Sequence, residues 1–498
     1  MNHLASDDLL DAGPPGAVPA GREPARNAAL HGTRACAEPT PGPEAPPGPE
    51  AARSRQAARR PEGDRWTAGS GKQNRSDARR GMVMTVTRAM RQALLAEMRR
   101  HTGVGDAIAE AFLTVPRHVF LPETPVEQVY RDEVIVTKRG ADGMPTSSSS
   151  QPTIMAAMLG QLAVRPGDRV LEIGAGTGFN AALLATLTGS GGEVVSVDID
   201  PDLVDAARSN LEDAGCSGVT VVAGDGTDGF AAGAPYDRII ATVGAWDLAP
   251  AWLEQLAPGG RIVVPLDLYG VQRSVALERA PRQTSGRWGS VSVLSCGFMR
   301  MRGPLAGPER YEVLDPATGL TIFLPDGRDA HGVLSALEGR VTARAVATGL
   351  PVDPTVLFDG FSLWLAVHEP RWCTLWEAGG TRLPPSPLTM QGTSVSAGIR
   401  DGGGIALLTT EKTGRDAGWG VGYPSQVEEV VARGYGPDGM RLADELAAHA
   451  RTWLAAGRPM TDTLHIDAYP ATMSVSTAPT TPLLEKRHTT LAITWPAC

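Results

Sequence analysis

At 498 residues the chain has room for roughly two to four domains. Its 42% hydrophobic and 20% charged residues are ordinary for a globular protein. A formal net charge of −9 argues against a sequence-independent grip on nucleic acid or on an anionic membrane surface. No run approaches the roughly 18 apolar residues of a membrane span. No basic segment followed by an apolar run marks a secretory signal, and a cytoplasmic protein is expected. The five cysteines, Cys36, Cys216, Cys296, Cys373 and Cys498, are too scattered for a disulfide framework or a CxxC zinc site.

Residues 1–81 hold 11 Pro, 10 Gly and 16 Ala, and only seven of Val, Ile, Leu, Met, Phe, Trp or Tyr. Such a segment cannot bury enough apolar surface to offset chain entropy, so a disordered leader is expected over residues 1–83. From Met84, VTRAMRQALLAEMRRHTG has helical spacing, and GDAIAEAFLTV is a second helix stopping before Pro116. VPRHVFLPE reads as an extended or turn segment, VYRDEVIVTKRG as a strand, MPTSSSSQP as a polar loop and TIMAAMLGQLAV as a helix. Residues 169–290 then alternate. RVLEIG, EVVSVDID, VTVVAGDG, YDRIIATVG and RIVVPLDL are strands, VQRSVALERA is the hairpin partner of the last, and GFNAALLATLTG, PDLVDAARSNLEDAG and LAPAWLEQLAPGG are helices. That order implies an α/β sheet with parallel strands over residues 84–290. Residues 291–498 carry short β-branched or aromatic runs (SVSVLSCGF, TIFLP, FSLWLAVHE, RWCTLW, GGIALLTT, DTLHIDAY, LAITW) and one amphipathic helix, MRLADELAAHARTWLAAG. They read as a separate α+β domain.

The segment with the most chemical content is VLEIGAGTGFN, residues 170–180. An apolar strand enters a turn of Gly174, Gly176 and Gly178, and a helix follows. The glycines let the backbone approach a ligand, and the helix start offers free N–H groups. A dinucleotide site prefers GxGxxG, but here the third glycine comes one place early and Phe179 takes the sixth position. Glu172 at the strand end would repel a pyrophosphate and would suit the cationic methionine part of S-adenosylmethionine. Asp198, at the end of the next strand, is placed to accept both hydroxyls of a ribose. Asp225, after the third strand, is placed to accept from an adenine amino group. Asp200, before Pro201, is the better helix cap.

The series VLEIGAGTGF, VDID, GDGTDG, PYDRIIATVGA and LAPGGRIVVPL resembles the motifs of protein-L-isoaspartate O-methyltransferases. VPRHVFLP and SSQPTIMAAML extend the likeness, which covers roughly residues 85–285. The resemblance implies a Rossmann-like S-adenosylmethionine-dependent methyltransferase domain with N-terminal helices, followed here by a C-terminal α+β extension. It implies cofactor contacts from Glu172, Gly174, Gly176, Thr177, Asn180, Asp198, Ile199, Asp225 and Gly226. In that family a serine just before an X-Pro step lies at the methyl-acceptor site, which implies Ser150, and Ser148 falls where the family usually has threonine. Arg117 or His118 is a candidate for neutralising substrate charge, with a structural role the favoured alternative for both.

Two departures stand out. The serine loop is longer than usual, and the chain continues some 200 residues past the methyltransferase segment. These features look like the FxLD-type methyltransferases associated with lanthipeptide biosynthesis. That likeness implies methylation of an aspartate in a cyclised precursor peptide, leading to succinimide or isoaspartate, with the extension recognising the peptide. Trp364, Trp372, Trp376 and Trp419 are candidates for that surface, with core packing the competing role. Two other readings stay open: a repair methyltransferase for L-isoaspartate with an accessory domain, and a non-catalytic S-adenosylmethionine-binding module. No metal site is indicated; His465 and Asp467 alternate on a strand as a lone pair.

Overall fold

The computed structural model describes residues 70–498 except 142, 217, 281–285, 326, 328–329, 340–344, 378–382, 384–385, 391–392, 414–426 and 497–498. The expected leader therefore lies outside the described residues up to position 69. Helix α1 already starts at Ser70 and runs to His101, so the helical backbone begins well before the expected boundary at 84. Among the described residues no helix is long and apolar enough to cross a membrane.

Helix α2 (Asp106–Thr114), a 3-10 turn (Arg117–Phe120) and the short α3 (Val126–Val129) follow. Strands β1 (Ile135–Arg139) and β2 (Pro145–Ser149) pair antiparallel, with Ile135 opposite Ser149. The serine segment expected as a loop is thus a strand. Strand pairing to β1 and a buried arginine behind it supply backbone partners that local composition does not reveal. Helix α4 (Pro152–Leu162) opens with proline at its first position, where no N–H is missed.

The main sheet is built from β3 (Arg169–Ile173), β4 (Glu193–Asp198), β5 (Val219–Ala223), β6 (Tyr236–Ala241), β7 (Leu256–Leu268), β8 (Val271–Arg279) and β9 (Trp288–Ser295). Between them run α5 (Phe179–Thr188), α6 (Pro201–Asp213) and α7 (Pro250–Gln255). The strand order is β5-β4-β3-β6-β7-β8-β9, parallel from β5 to β7 and antiparallel beyond. Chain progression reverses between β3 and β6. A sheet of this kind opens a crevice at the carboxyl ends of the strands there. The helix expected over LAPAWLEQLAPGG is only six residues long, because Leu256 already pairs with Tyr236 of β6.

The main sheet does not stop near residue 290. Strands His465–Pro470, Thr489–Thr494 and Leu483–Glu485 extend it beyond β9. The chain from Gly69 to Cys498 forms one compact unit. The remaining C-terminal strands form a second, mainly antiparallel sheet, in the order Arg310–Asp315, Leu320–Leu324, Trp372–Glu377, Thr393–Asp401, Gly404–Thr413, Val427–Tyr435 and Val346–Ala347. The helix Gly439–Ala455 packs Leu442, Leu446 and Trp453 into the core. FSLWLAVHE is the helix Ser362–His368, entered through one π-turn. Leu363, Trp364, Leu365 and Ala366 are all buried there, and a run that is apolar on every side carries no period to separate helix from strand. Trp364 and Trp372 are core residues, and the Trp372 indole donates to the Tyr269 carbonyl at 2.7 Å. Trp376 is partly buried and donates to Thr374 Oγ1, whereas Trp419 lies outside the described residues.

Candidate active site

A cavity of about 640 Å³ opens at the carboxyl ends of β3, β4 and β6. That volume suits a cofactor-sized ligand. One wall is the glycine turn between β3 and α5. Gly174 sits at φ 100°, and a Cβ there would lie 2.7 Å from Thr242 Oγ1. Gly178 caps α5 at φ 86°, with the Ala207 carbonyl 3.2 Å from where a Cβ would be. Only glycine combines these backbone angles with this clearance.

Of the residues expected at the cofactor, Gly174, Gly176, Thr177, Asn180, Asp198, Ile199, Asp225 and Gly226 all line the cavity. Asp198 is held by two backbone donors, Gly176 N at 3.0 Å and Asp200 N at 3.1 Å. Each of its oxygens keeps a lone pair for a further donor. Asp225 caps the turn that follows it, one oxygen accepting from Thr227 N and Thr227 Oγ1. The Gly226 carbonyl takes the Trp252 indole N–H at 2.7 Å. Asp200 accepts from Asp202 N as the cap of α6.

Glu172 is the exception. It is fully buried and does not line the cavity. Its carboxylate accepts from Asn180 Nδ2 at 2.8 Å and Ser196 Oγ at 2.5 Å. The expected direct contact with a cationic ligand is therefore corrected. Glu172 acts beneath the turn, joining β3 to the start of α5 and to β4. Burial pushes its carboxyl up to about 7, against the pull of those two donors.

The opposite wall carries the serines. Strand alternation divides them. Ser147 and Ser149 are buried, and their hydroxyls accept from Thr137 Oγ1 at 3.0 Å and from Arg117 at 3.2 Å. Ser148 and Ser150 are half-exposed and line the cavity. Among the described residues neither hydroxyl has a protein partner. The Ser148 carbonyl lies 3.8 Å from the place of a Cβ on Gly176, so the serine strand faces the glycine turn.

Neither Arg117 nor His118 lines this cavity, and both hold structural partners instead. Arg117 is 1% exposed, and its NH1 and NH2 groups donate to carbonyls and to Ser149 Oγ. His118 bonds Tyr130 through Nδ1 at 2.7 Å, and burial holds its imidazole below the ordinary value. His465 and Asp467 bond one another, Ser290 and Arg287 across the strands of the sheet. Among the described residues no group of three or more His, Cys, Asp or Glu gathers to hold a metal.

Two contributors carry no sequence signal. Asp132 accepts from Gln151 Nε2, Thr153 N and Thr153 Oγ1 at 2.9, 2.8 and 2.7 Å, pinning the turn into α4. Residues 294–302, leaving β9, close a further side of the cavity. They are bound to Gly244 by Gly244 N to Met299 O at 2.7 Å and Met301 N to Gly244 O at 2.8 Å. Arg300 runs from this wall to Asp267 and Glu309, and its guanidinium lies over Tyr311 and Phe323 of the second sheet.

Residues 89–301 match the family model described as protein-L-isoaspartate(D-aspartate) O-methyltransferase. The protein-L-isoaspartate O-methyltransferase of Methanopyrus kandleri is 38% identical over 214 residues, 42% of this chain and 86% of that protein. That of Thermotoga maritima is 42% identical over 188 residues, 38% of this chain; the chain spans 58% of the length of that relative. A solved structure titled protein-L-isoaspartate O-methyltransferase aligns with 76% of this chain and 96% of its own, at 24% identity and a TM-score of 0.42. The cavity's glycine turn and strand-end carboxylates fit S-adenosylmethionine, the cofactor of this class. On the sequence match and its coverage, the chain belongs to the protein-L-isoaspartate O-methyltransferase family.

Proposed function

We propose that the protein esterifies the side-chain carboxylate of an L-isoaspartyl residue presented in a polypeptide, using S-adenosylmethionine. The observation that carries this reading is the pair of unpartnered hydroxyls, Ser148 and Ser150, facing the glycine turn across one cavity. A carboxylate is ionised at neutral pH, so the acceptor needs no general base. The sulfonium of the cofactor supplies an activated methyl group. The chain's own task is to bind the acceptor, orient it in line at about 3 Å and keep water away. Ser150 donates a hydrogen bond to the carboxylate, and Ser148 is the second donor on the same rim. A hydrogen bond to a charged acceptor contributes about 1.5–3 kcal/mol. Asp198 receives the ribose hydroxyls, Asp225 the adenine amino group, and Ile199 offers an apolar face.

The ester carries the later chemistry without help from the protein. The next backbone nitrogen attacks the ester carbonyl, the C–N bond forms, methanol leaves with the nitrogen's proton, and a succinimide results. Water then opens it to aspartyl or isoaspartyl.

A second reading is methylation of an ordinary aspartate in a cyclised precursor peptide. It is supported by the wall at 294–302, which Arg300 ties into the β-rich C-terminal region. Mass spectrometry with purified protein and S-adenosylmethionine separates the two. A gain of about 14 Da on a short linear isoaspartyl peptide supports the first reading. The gain on a cyclised precursor alone, decaying to a loss of about 18 Da from the starting mass, replaces it with the second. Cofactor binding with no transfer to either peptide would instead favour a binding module.

A further inference from the structure

We infer that Arg117, together with Asp132, is a positioning residue that aims the Ser150 hydroxyl into the cavity. The inference rests on the carboxyl-methylation reading above.

Arg117 approaches the serine strand from behind. Its NH1 donates to the Val129 carbonyl at 2.8 Å and the Arg131 carbonyl at 3.3 Å. Its NH2 donates to the Glu133 carbonyl at 3.4 Å, Ser149 Oγ at 3.2 Å and the Ser150 carbonyl at 3.0 Å. One rigid fork thus ties the chain entering β1 to the last residues of β2. Lysine has no planar set of donors that would make the same five contacts. Asp132, from the same entering segment, grips the chain just beyond, at Gln151 and Thr153. Ser150 lies between the two grips. Its backbone is held before and after, so the direction of its side chain is held as well.

The same guanidinium lies over the Phe179 ring, 5.8 Å from the centroid. Phe179 is the first residue of α5, directly after the glycine turn. One side chain therefore spans the acceptor strand and the cofactor turn, the two bodies whose separation sets the distance from acceptor oxygen to methyl group. Burying a guanidinium is costly, and a well-packed apolar group is usually an equal or better choice for stability alone. Among the described residues no carboxylate forms an ion pair with Arg117. Misplacing a reacting group by about 1 Å costs up to roughly 100-fold in rate.

The test is a double-mutant cycle on the full chain with an isoaspartyl peptide, using R117K, S150A and the double variant. Turnover, cofactor affinity by calorimetry and thermal midpoint are read together. R117K is expected to lower acceptor kcat/KM about 10- to 100-fold, with cofactor Kd within about threefold. In the S150A background R117K is expected to cost less than about threefold, because the hydroxyl it positions is gone. A full, additive R117K effect in that background overturns the inference, as does an R117K enzyme with unchanged turnover. D132N repeats the cycle with the Arg117 side chain in place, although it removes the carboxylate charge acting on that guanidinium, so a failure of R117K to fold leaves the inference open to refutation by D132N. The underlying reading fails separately: S150A with unchanged acceptor kinetics removes Ser150 from the site, whatever R117K does.

Discussion

The two walls of the cavity are made in different ways. On the cofactor wall the carboxylates are already engaged by backbone donors: Asp225 by its near neighbour Thr227, and Asp198 by Asp200 and by Gly176 of the glycine turn. On the acceptor wall the partners are distant, with Arg117 reaching Ser150 across 33 residues, and two hydroxyls are left open. A preformed wall of satisfied groups suits a cofactor that is always the same. Open donors on a strand braced from behind suit a substrate group that arrives on another chain. Changes to the first wall should therefore act on cofactor affinity, and changes to the second on acceptor turnover.

The sharpest break of this contrast is Gly174→Ala. A Cβ forced against Thr242 Oγ1, at a φ of 100°, should cost about 2–3 kcal/mol. Calorimetry should show the cofactor Kd rising roughly 30- to 100-fold. Unchanged affinity would mean that close backbone approach is not what binds the cofactor.

Ser150→Ala tests the other wall. Acceptor kcat/KM should fall about 10- to 100-fold while the cofactor Kd stays within error, since the lost hydrogen bond goes to the carboxylate alone. A parallel fall in cofactor affinity would erase the distinction between the walls.

Glu172 gives a pH signature. Its carboxyl is raised from 4.5 to about 7 by burial. Between those values the folded form keeps a proton that the unfolded form has lost. Stability must then fall as pH rises through that window and level off above about 7, with a slope of at most about 1.4 kcal/mol per pH unit. Glu172→Gln should flatten this part of the curve, read as thermal midpoints from pH 5 to pH 8. A variant with the wild-type slope would place the pH dependence elsewhere, and the buried Glu309, also raised to about 7, is the next candidate.

The smallest effect concerns Lys138, which bonds Asp200 at 2.6 Å and Asp202 at 3.2 Å, linking β1 to the start of α6 beside the cofactor turn. Lys138→Gln should change the cofactor off-rate by no more than about threefold, and high salt should abolish the difference. A larger or salt-insensitive effect would make this link part of the site.

By itself the sequence determined the glycine turn and the Asp200 and Asp225 caps, whose backbone donors lie two positions on, so local spacing carries their geometry. It also determined the alternation of strands and helices from residue 169 to the β7–β8 hairpin. Tertiary structure alone decided which of four consecutive serines stay open, because that depends on pairing with β1 and on an arginine 33 residues away. It decided that Glu172 lies beneath the turn rather than beside a ligand, since Asn180 and Ser196 compete for the same carboxylate. It decided that FSLWLAVHE is a helix, where burial on every side hides the period. It also decided that the last three strands complete the main sheet, because pairing Asp467 with Gly289 joins positions 178 residues apart, which no local pattern records.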